Sequence, residues 1–166
     1  MSIKLLGALI IALVSISIVY AQDNCTTSSC HQSIAKLLNE SAWKHAPAAK
    51  HNCKVCHKVS EAQITGKHDV ETLSEASHCY SCHKREQKKN ENVHSPAQDD
   101  CTACHSPHAS PYDKLLLSPK GSLCFDCHDD IKETLLHKDL HKPFEKASCT
   151  HCHSPHKSIH KFLLVN

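Results

Sequence analysis

Residues 101–128 read CTACHSPHASPYDKLLLSPKGSLCFDCH, and the architecture turns on this stretch. It holds two Cys-x-x-Cys-His clusters, CTACH at 101–105 and CFDCH at 124–128, so each pair of thiols is followed at once by an imidazole. Working outward, the same cluster recurs as CKVCH at 53–57, CYSCH at 79–83 and CTHCH at 149–153. A sixth, CTTSSCH at 25–31, separates its cysteines by four residues but ends in the same Cys-His. All 12 cysteines of the 166-residue chain are consumed by these six clusters.

The chemistry follows from the spacing. Two thiols on one turn add to the two vinyl groups of one haem, and the next residue then lies beneath the iron as its proximal ligand. Thioether attachment is therefore expected at Cys25 and Cys30, Cys53 and Cys56, Cys79 and Cys82, Cys101 and Cys104, Cys124 and Cys127, and Cys149 and Cys152. Proximal ligation is expected from His31, His57, His83, His105, His128 and His153, giving six covalently bound haem c groups. Zinc sites also use Cys-x-x-Cys, but they draw four ligands from paired half-sites and have no reason to fix a histidine after every second cysteine. A disulfide framework, the other use of many cysteines in an exported chain, would not repeat that histidine either.

The remaining coordination position on each iron takes methionine or histidine, or stays open. Met1 is the only methionine and leaves with the leader described below, so histidine is the available choice. Eleven of the 17 histidines lie outside the clusters. An internal repeat narrows them: the second, fourth and sixth clusters begin at Cys53, Cys101 and Cys149, 48 residues apart each time. Each is preceded by His-x-Pro (His45, His94, His141) and followed by another histidine (His68, His108, His156). These six are the expected distal ligands and match the number of haems. Proline fixes its own backbone and restricts its neighbour, which would present each upstream imidazole rigidly. His108 and His156, three residues past a proximal histidine, cannot easily reach around the same haem and are expected on a neighbouring one. His51, His78, His137, His151 and His160 are read as bystanders, the first three as the likeliest substitutes.

The stretch from CTACHSPH through the leucines at 115–117 to LCFDCH resembles the doubled-CXXCH family of multihaem cytochromes. The resemblance implies periplasmic or extracellular electron transfer, with closely spaced haems acting as a wire. Attachment and proximal roles carry over at every cluster. The wide first cluster and the absence of a Ser-Pro-His string in the first unit depart from the pattern and leave the ligands of the first three haems least defined.

Compartment and core agree with this. Lys4 precedes an apolar run at residues 5–19 and small residues around Ala21, which reads as a secretory signal cleaved after Ala21. The run is short of the ~20 residues that span a bilayer comfortably, which disfavours a retained anchor. The mature chain would be a hexahaem domain at 22–166, with repeat units at roughly 45–83, 94–128 and 141–166. Trp, Tyr and Phe total only 7, too few for an ordinary core in a chain of this size. The expected fold is mainly α, with little regular secondary structure, organised around stacked haems; the haem-free chain should be largely unfolded. Short helices are expected at 32–44 and 129–140, and no stretch alternates as a strand. The leucines at 115–117 and Phe125 are expected on porphyrin faces, and the charged run at 84–92 as a solvated linker or helix end.

Without Lys4 the chain carries 18 basic against 17 acidic residues, and about twelve haem propionates would make the holoprotein acidic. Nothing points to nucleic acid. The functional expectation is an electron carrier of low potential, with redox proteins as donor and acceptor. Alternatives are a reductase of the nitrite or hydroxylamine type with one open iron, a subunit of an extracellular filament built as a homopolymer, or part of a membrane-associated conduit.

Overall fold

A computed structural model describes residues 25–26, 31–58, 71–72, 76–84, 91–134, 142 and 149–165. The expected leader, Cys30, His68, His137 and His141 lie outside the described residues.

Regular structure comes in short pieces, as the composition requires. Helix α1 (Gln32–Glu40) starts on His31 and ends at Ser41, whose extended backbone stops the helix while its N–H still bonds the Leu37 carbonyl. The expected helix at 32–44 is thus cut short. Trp43 and Lys44 form a strand instead, β1, paired antiparallel with β5 (Ala109–Ser110). This pairing joins residues more than sixty positions apart, a partner that no local pattern announces. Further on come α2 (Ala46–Ala49), β2 (His57–Lys58), β3 (Glu71–Thr72), α3 (Ala76–Cys79), β4 (Asn92–Val93), α4 (Ser95–Asp99), α5 (Lys120–Cys124), α6 (Asp129–Thr134) and β6 (Lys157–Ser158). The expected helix at 129–140 is present as α6 to Thr134; residues 135–140 lie outside the described residues. Of the charged run, Asn92 belongs to β4 and residues 85–90 lie outside the described residues.

Three two-residue antiparallel pairs, β1 with β5, β2 with β3 and β4 with β6, replace the expected absence of strands. In the first, Lys44 lies opposite Ala109; in the third, Val93 lies opposite Lys157. The third pair is reinforced by Asn92, whose amide donates to the Ser158 and His160 carbonyls, and by an ion pair of Lys157 with Glu91 at 3.0 Å.

Apolar burial is slight. Leu38, Ala76 and Ala109 are the buried hydrophobic residues among those described, while Phe162 is 82% exposed and Ile159 66%. Leu115 and Leu116 are half-buried and Leu117 is exposed. With three buried apolar residues among those described, one leucine and two alanines, side-chain packing alone does not hold these segments together. This fits a low-regularity fold built around something other than its own side chains.

Candidate functional site

Each of the five short clusters folds as a single tight turn. The N–H of the second cysteine points at the carbonyl of the first in all five short clusters, at 3.2–3.4 Å. In the third to sixth clusters the proximal histidine N–H also closes on that carbonyl, at 2.9–3.0 Å. One turn therefore gathers two thiols and an imidazole, as a thioether-bound porphyrin needs. No disulfide joins the eleven described cysteines. No group of three or more His, Cys, Asp or Glu able to hold a metal ion occurs among the described residues, whereas a structural zinc requires four converging ligands.

Thiols of different clusters also meet. Burial, then the hydrogen-bonded Cys25 thiol, pushes Cys53 up; burial, then Cys79, does the same to Cys101. Burial and then Cys149 push Cys124 up to about 11. These three contacts each join the first cysteine of an odd-numbered cluster to the first cysteine of the next. Cys104 is raised by burial and then by Cys127, a contact between second cysteines of the fourth and fifth clusters. A cleft of about 220 Å³ between Cys25 and the turn at Cys53 marks the space between the first two clusters.

Four proximal imidazoles have a second imidazole across from them. His57 faces His108 with ring centres 5.9 Å apart, His83 faces His45 at 6.0 Å, His94 faces His128 at 6.2 Å and His105 faces His156 at 5.9 Å. The first three pairs lie within 19° of parallel and the fourth is tilted by 45°. Aromatic stacking alone does not account for four such pairs in a chain this poor in contacts. An imidazole nitrogen sits about 2.1 Å from a first-row metal, and its ring centre roughly 1 Å beyond, so two rings trans across one metal have centres about 6 Å apart. The separations match that span. Each of the four pairs joins a proximal histidine to one of the expected distal set.

Tautomers agree as well. His105 Nδ1 lies 2.8 Å from the Lys114 carbonyl and His153 Nδ1 2.7 Å from that of Phe162. His45 Nδ1 lies 2.9 Å from the Pro107 carbonyl and His94 Nδ1 3.0 Å from that of Pro155. A carbonyl only accepts, so Nδ1 carries the proton in all four rings and Nε2 keeps its lone pair for a metal. Carbonyl partners of this kind orient ligating histidines and raise their basicity.

The Ser-Pro-His string now has a part for each residue. The Ser106 hydroxyl accepts from the N–H groups of His108 and Ala109, and the Pro107 carbonyl holds the His45 ring. The His108 carbonyl accepts the His45 N–H at 2.9 Å, and the His156 carbonyl accepts that of His94 at 2.8 Å. In the first two His-x-Pro elements the extended residue is the histidine itself; proline enters the first turn of α2 and of α4, where its missing N–H costs nothing. Partial burial, then His57 and His45, pulls the His108 ring below the usual histidine range, and burial, then His105 and His94, does so for His156.

Other histidines are engaged elsewhere. His51 Nδ1 meets the Thr26 hydroxyl at 3.0 Å, and His78 Nε2 meets the Val55 carbonyl at 3.1 Å. His151 and His160 are exposed. His31 caps α1, while the expected distal residues His68 and His141 lie outside the described residues. Sequence reasoning missed the carbonyls of Lys114 and Phe162; the only trace of them is the leucine-rich run nine residues past each proximal histidine.

A family profile described as the doubled CXXCH motif matches residues 94–133 and 141–166, which hold the fourth, fifth and sixth clusters. These motifs indicate covalently bound haem c. No curated protein matches the chain.

Proposed function

We propose that this doubled-CXXCH chain is an exported hexahaem cytochrome c that carries electrons along a single file of bis-histidine haems of low potential. The observation that carries the reading is the set of four imidazole pairs at 5.9–6.2 Å, each with its proximal member on a Cys-x-x-Cys-His turn. The ligand pairs would be His57 with His108, His83 with His45, His105 with His156, and His128 with His94; His31 and His153 would complete the proximal set, with His68 and His141 as their proposed partners. The 48-residue repeat would then have a structural meaning, since the His45 and His94 elements each dock on the string one repeat further along.

When bound, haem supplies a one-electron iron couple, and a row of such groups passes electrons by short hops. The protein's part is to hold neighbours close and fixed. First cysteines lie side by side between the first cluster and the second, the third and the fourth, and the fifth and the sixth, which would set neighbouring haem attachments close together. The backbone bonds from His45 to His108 and from His94 to His156 tie the ligands of the second haem to the third, and of the fourth to the fifth. Two alternating kinds of junction thus support an order in space that follows the order in sequence. Imidazole on both sides, with no methionine besides Met1, favours the ferric state and a low potential.

Among the described residues, no helix is long and apolar enough to cross a membrane. Cleavage after Ala21 and release to the periplasm or cell exterior is part of the proposal, because haem is attached outside the cytoplasm.

The test is intact mass and a ligand-binding spectrum on protein matured with haem-attachment machinery. Six haem masses and a low-spin reduced spectrum indifferent to carbon monoxide are expected. One iron that binds carbon monoxide would favour a reductase, and a chain with no covalent haem would overturn the reading.

A further inference from the structure

The loop after the fourth cluster runs through two consecutive residues in the left-handed region, Lys114 (φ 57°) and Leu115 (φ 60°), and neither is glycine. The loop after the sixth does the same at Phe162 (φ 59°) and Leu163 (φ 57°). Side chains with a Cβ resist this conformation, so it persists only where surrounding bonds over-determine it. The carbonyl that accepts the proximal imidazole N–H belongs to the first residue of each strained pair.

Two sets of bonds hold that carbonyl in place. One set comes from the cluster: Ser106 N–H to Leu115 O at 2.7 Å and Leu117 N–H to Cys104 O at 3.0 Å, matched by Ser154 to Leu163 at 2.7 Å and Val165 to Cys152 at 2.9 Å. The other comes from one serine in each loop. The Ser110 hydroxyl donates to the Leu116 carbonyl and accepts the Tyr112 N–H at 2.9 Å, so it bonds the backbone on both flanks of the strained pair. Ser158 donates to Leu164 and accepts from His160 at 3.0 Å. Ser110 is only 2% exposed, and its hydroxyl has its donor and an acceptor position filled from this one loop.

We propose that Ser110 and Ser158 are positioning residues for the proximal imidazoles of His105 and His153, and that through the Lys114 and Phe162 carbonyls they set the potentials of the fourth and sixth haems. A carbonyl held on Nδ1–H gives the ring partial imidazolate character, which stabilises ferric iron and lowers the potential. Without the hydroxyl the loop relaxes from its strained turn, the carbonyl swings off the ring, and the potential of that haem rises.

This inference rests on the hexahaem reading, and its test separates the two. Wild-type, Ser110→Ala, Ser158→Ala and Ser110→Thr chains are matured with haem, counted by intact mass, and titrated potentiometrically with each haem followed by its ferric NMR and EPR signals. A wild-type chain without six haems defeats the hexahaem reading before the serines are reached. With six haems present, Ser110→Ala is expected to raise one potential by up to a tenfold change in the oxidised-to-reduced ratio, about 59 mV for one electron, and to move the signals of that haem alone. Ser158→Ala does the same to a different haem, and Ser110→Thr, which keeps the hydroxyl, restores the original values. If Ser110→Ala loses its haem outright, Ser158→Ala is read by the same criteria. Six unchanged potentials and unchanged ring signals in the alanine variants overturn the proposal, even if their melting temperatures fall.

Discussion

Replacing His108 by alanine is the sharpest trial of the ligand pairs. The His57 and His108 ring centres are 5.9 Å apart, so a metal midway between them would have roughly 3 Å of distal space out to the centre of the lost ring. Removing the imidazole opens that depth and the volume of the ring beyond it, enough for a two-atom ligand. The main chain at the same residue does separate work. Its carbonyl accepts the His45 N–H at 2.9 Å, and the neighbouring Pro107 carbonyl orients the His45 ring; neither contact uses the side chain that is lost. The strand pair of Trp43 and Lys44 with Ala109 and Ser110 is likewise untouched. The change should therefore stay local: six haems by mass, one of the six irons no longer low-spin, and one equivalent of carbon monoxide bound per chain where the parent binds none. Titration with carbon monoxide, followed in the Soret band of the dithionite-reduced protein, reads the stoichiometry directly. The freed iron should also become easier to reduce, having lost a strong donor. A variant that binds no carbon monoxide would mean that His108 is not a ligand. Two opened irons would mean that the backbone contact to His45 does not survive alone, and the stated independence of the second and third haems would fall.

Ring orientation gives a second prediction: near-parallel imidazoles donate into the same iron d orbital and split its set widely, so the three pairs within 19° should share one class of low-spin ferric EPR spectrum, and the His105–His156 pair at 45° should stand apart with smaller rhombic splitting. Chain expressed without haem attachment should show neither helical circular dichroism nor a cooperative melt, because the described residues bury only three apolar side chains. Leu38→Ala removes the one large residue among those three, and should cost the holoprotein about 2–3 kcal/mol, seen as a melting midpoint lower by several degrees. At Lys114, with φ at 57°, glycine should be tolerated, whereas valine should cost about 1–2 kcal/mol by thermal melt and loosen the His105 ring.

How much of this could be read from the sequence depends on the range of the interaction involved. The Cys-x-x-Cys-His turn is wholly local: its closing bonds run three or four residues, so spacing alone is enough to predict it. The His-x-Pro elements were also visible, since proline marks where α2 and α4 begin. What spacing could not say was which histidine meets which. The His45 ring faces His83 but bonds the Pro107 carbonyl, so one imidazole serves two contacts that lie in different repeats. The strands were invisible for the same reason. Two residues are too few to show alternation, and in two of the three pairs the partners lie more than sixty positions apart. The helix expected at 32–44 overran because its apolar spacing continues past Ser41, while the competing claim on Trp43 and Lys44 comes from β5.

The same interlocking explains how so few apolar contacts can specify one arrangement. Each of the first two His-x-Pro elements is held at three points on the string of the next repeat: strand pairing, a backbone bond to a histidine carbonyl, and a ring bond to a proline carbonyl. The ring so held faces a second imidazole from a third segment, the odd-numbered cluster downstream, with which it would share the proposed iron. Order therefore requires the polar latch and the haem together. The latch alone offers a handful of exposed hydrogen bonds, each worth about 1 kcal/mol against the chain entropy it must overcome. A haem would close the loop covalently at the cysteines and, through its iron, coordinatively at both imidazoles, which would offset that entropy. On this argument haem attachment and folding are one event, and rigid spacing between neighbouring haems, which electron hopping needs, follows from how the chain folds.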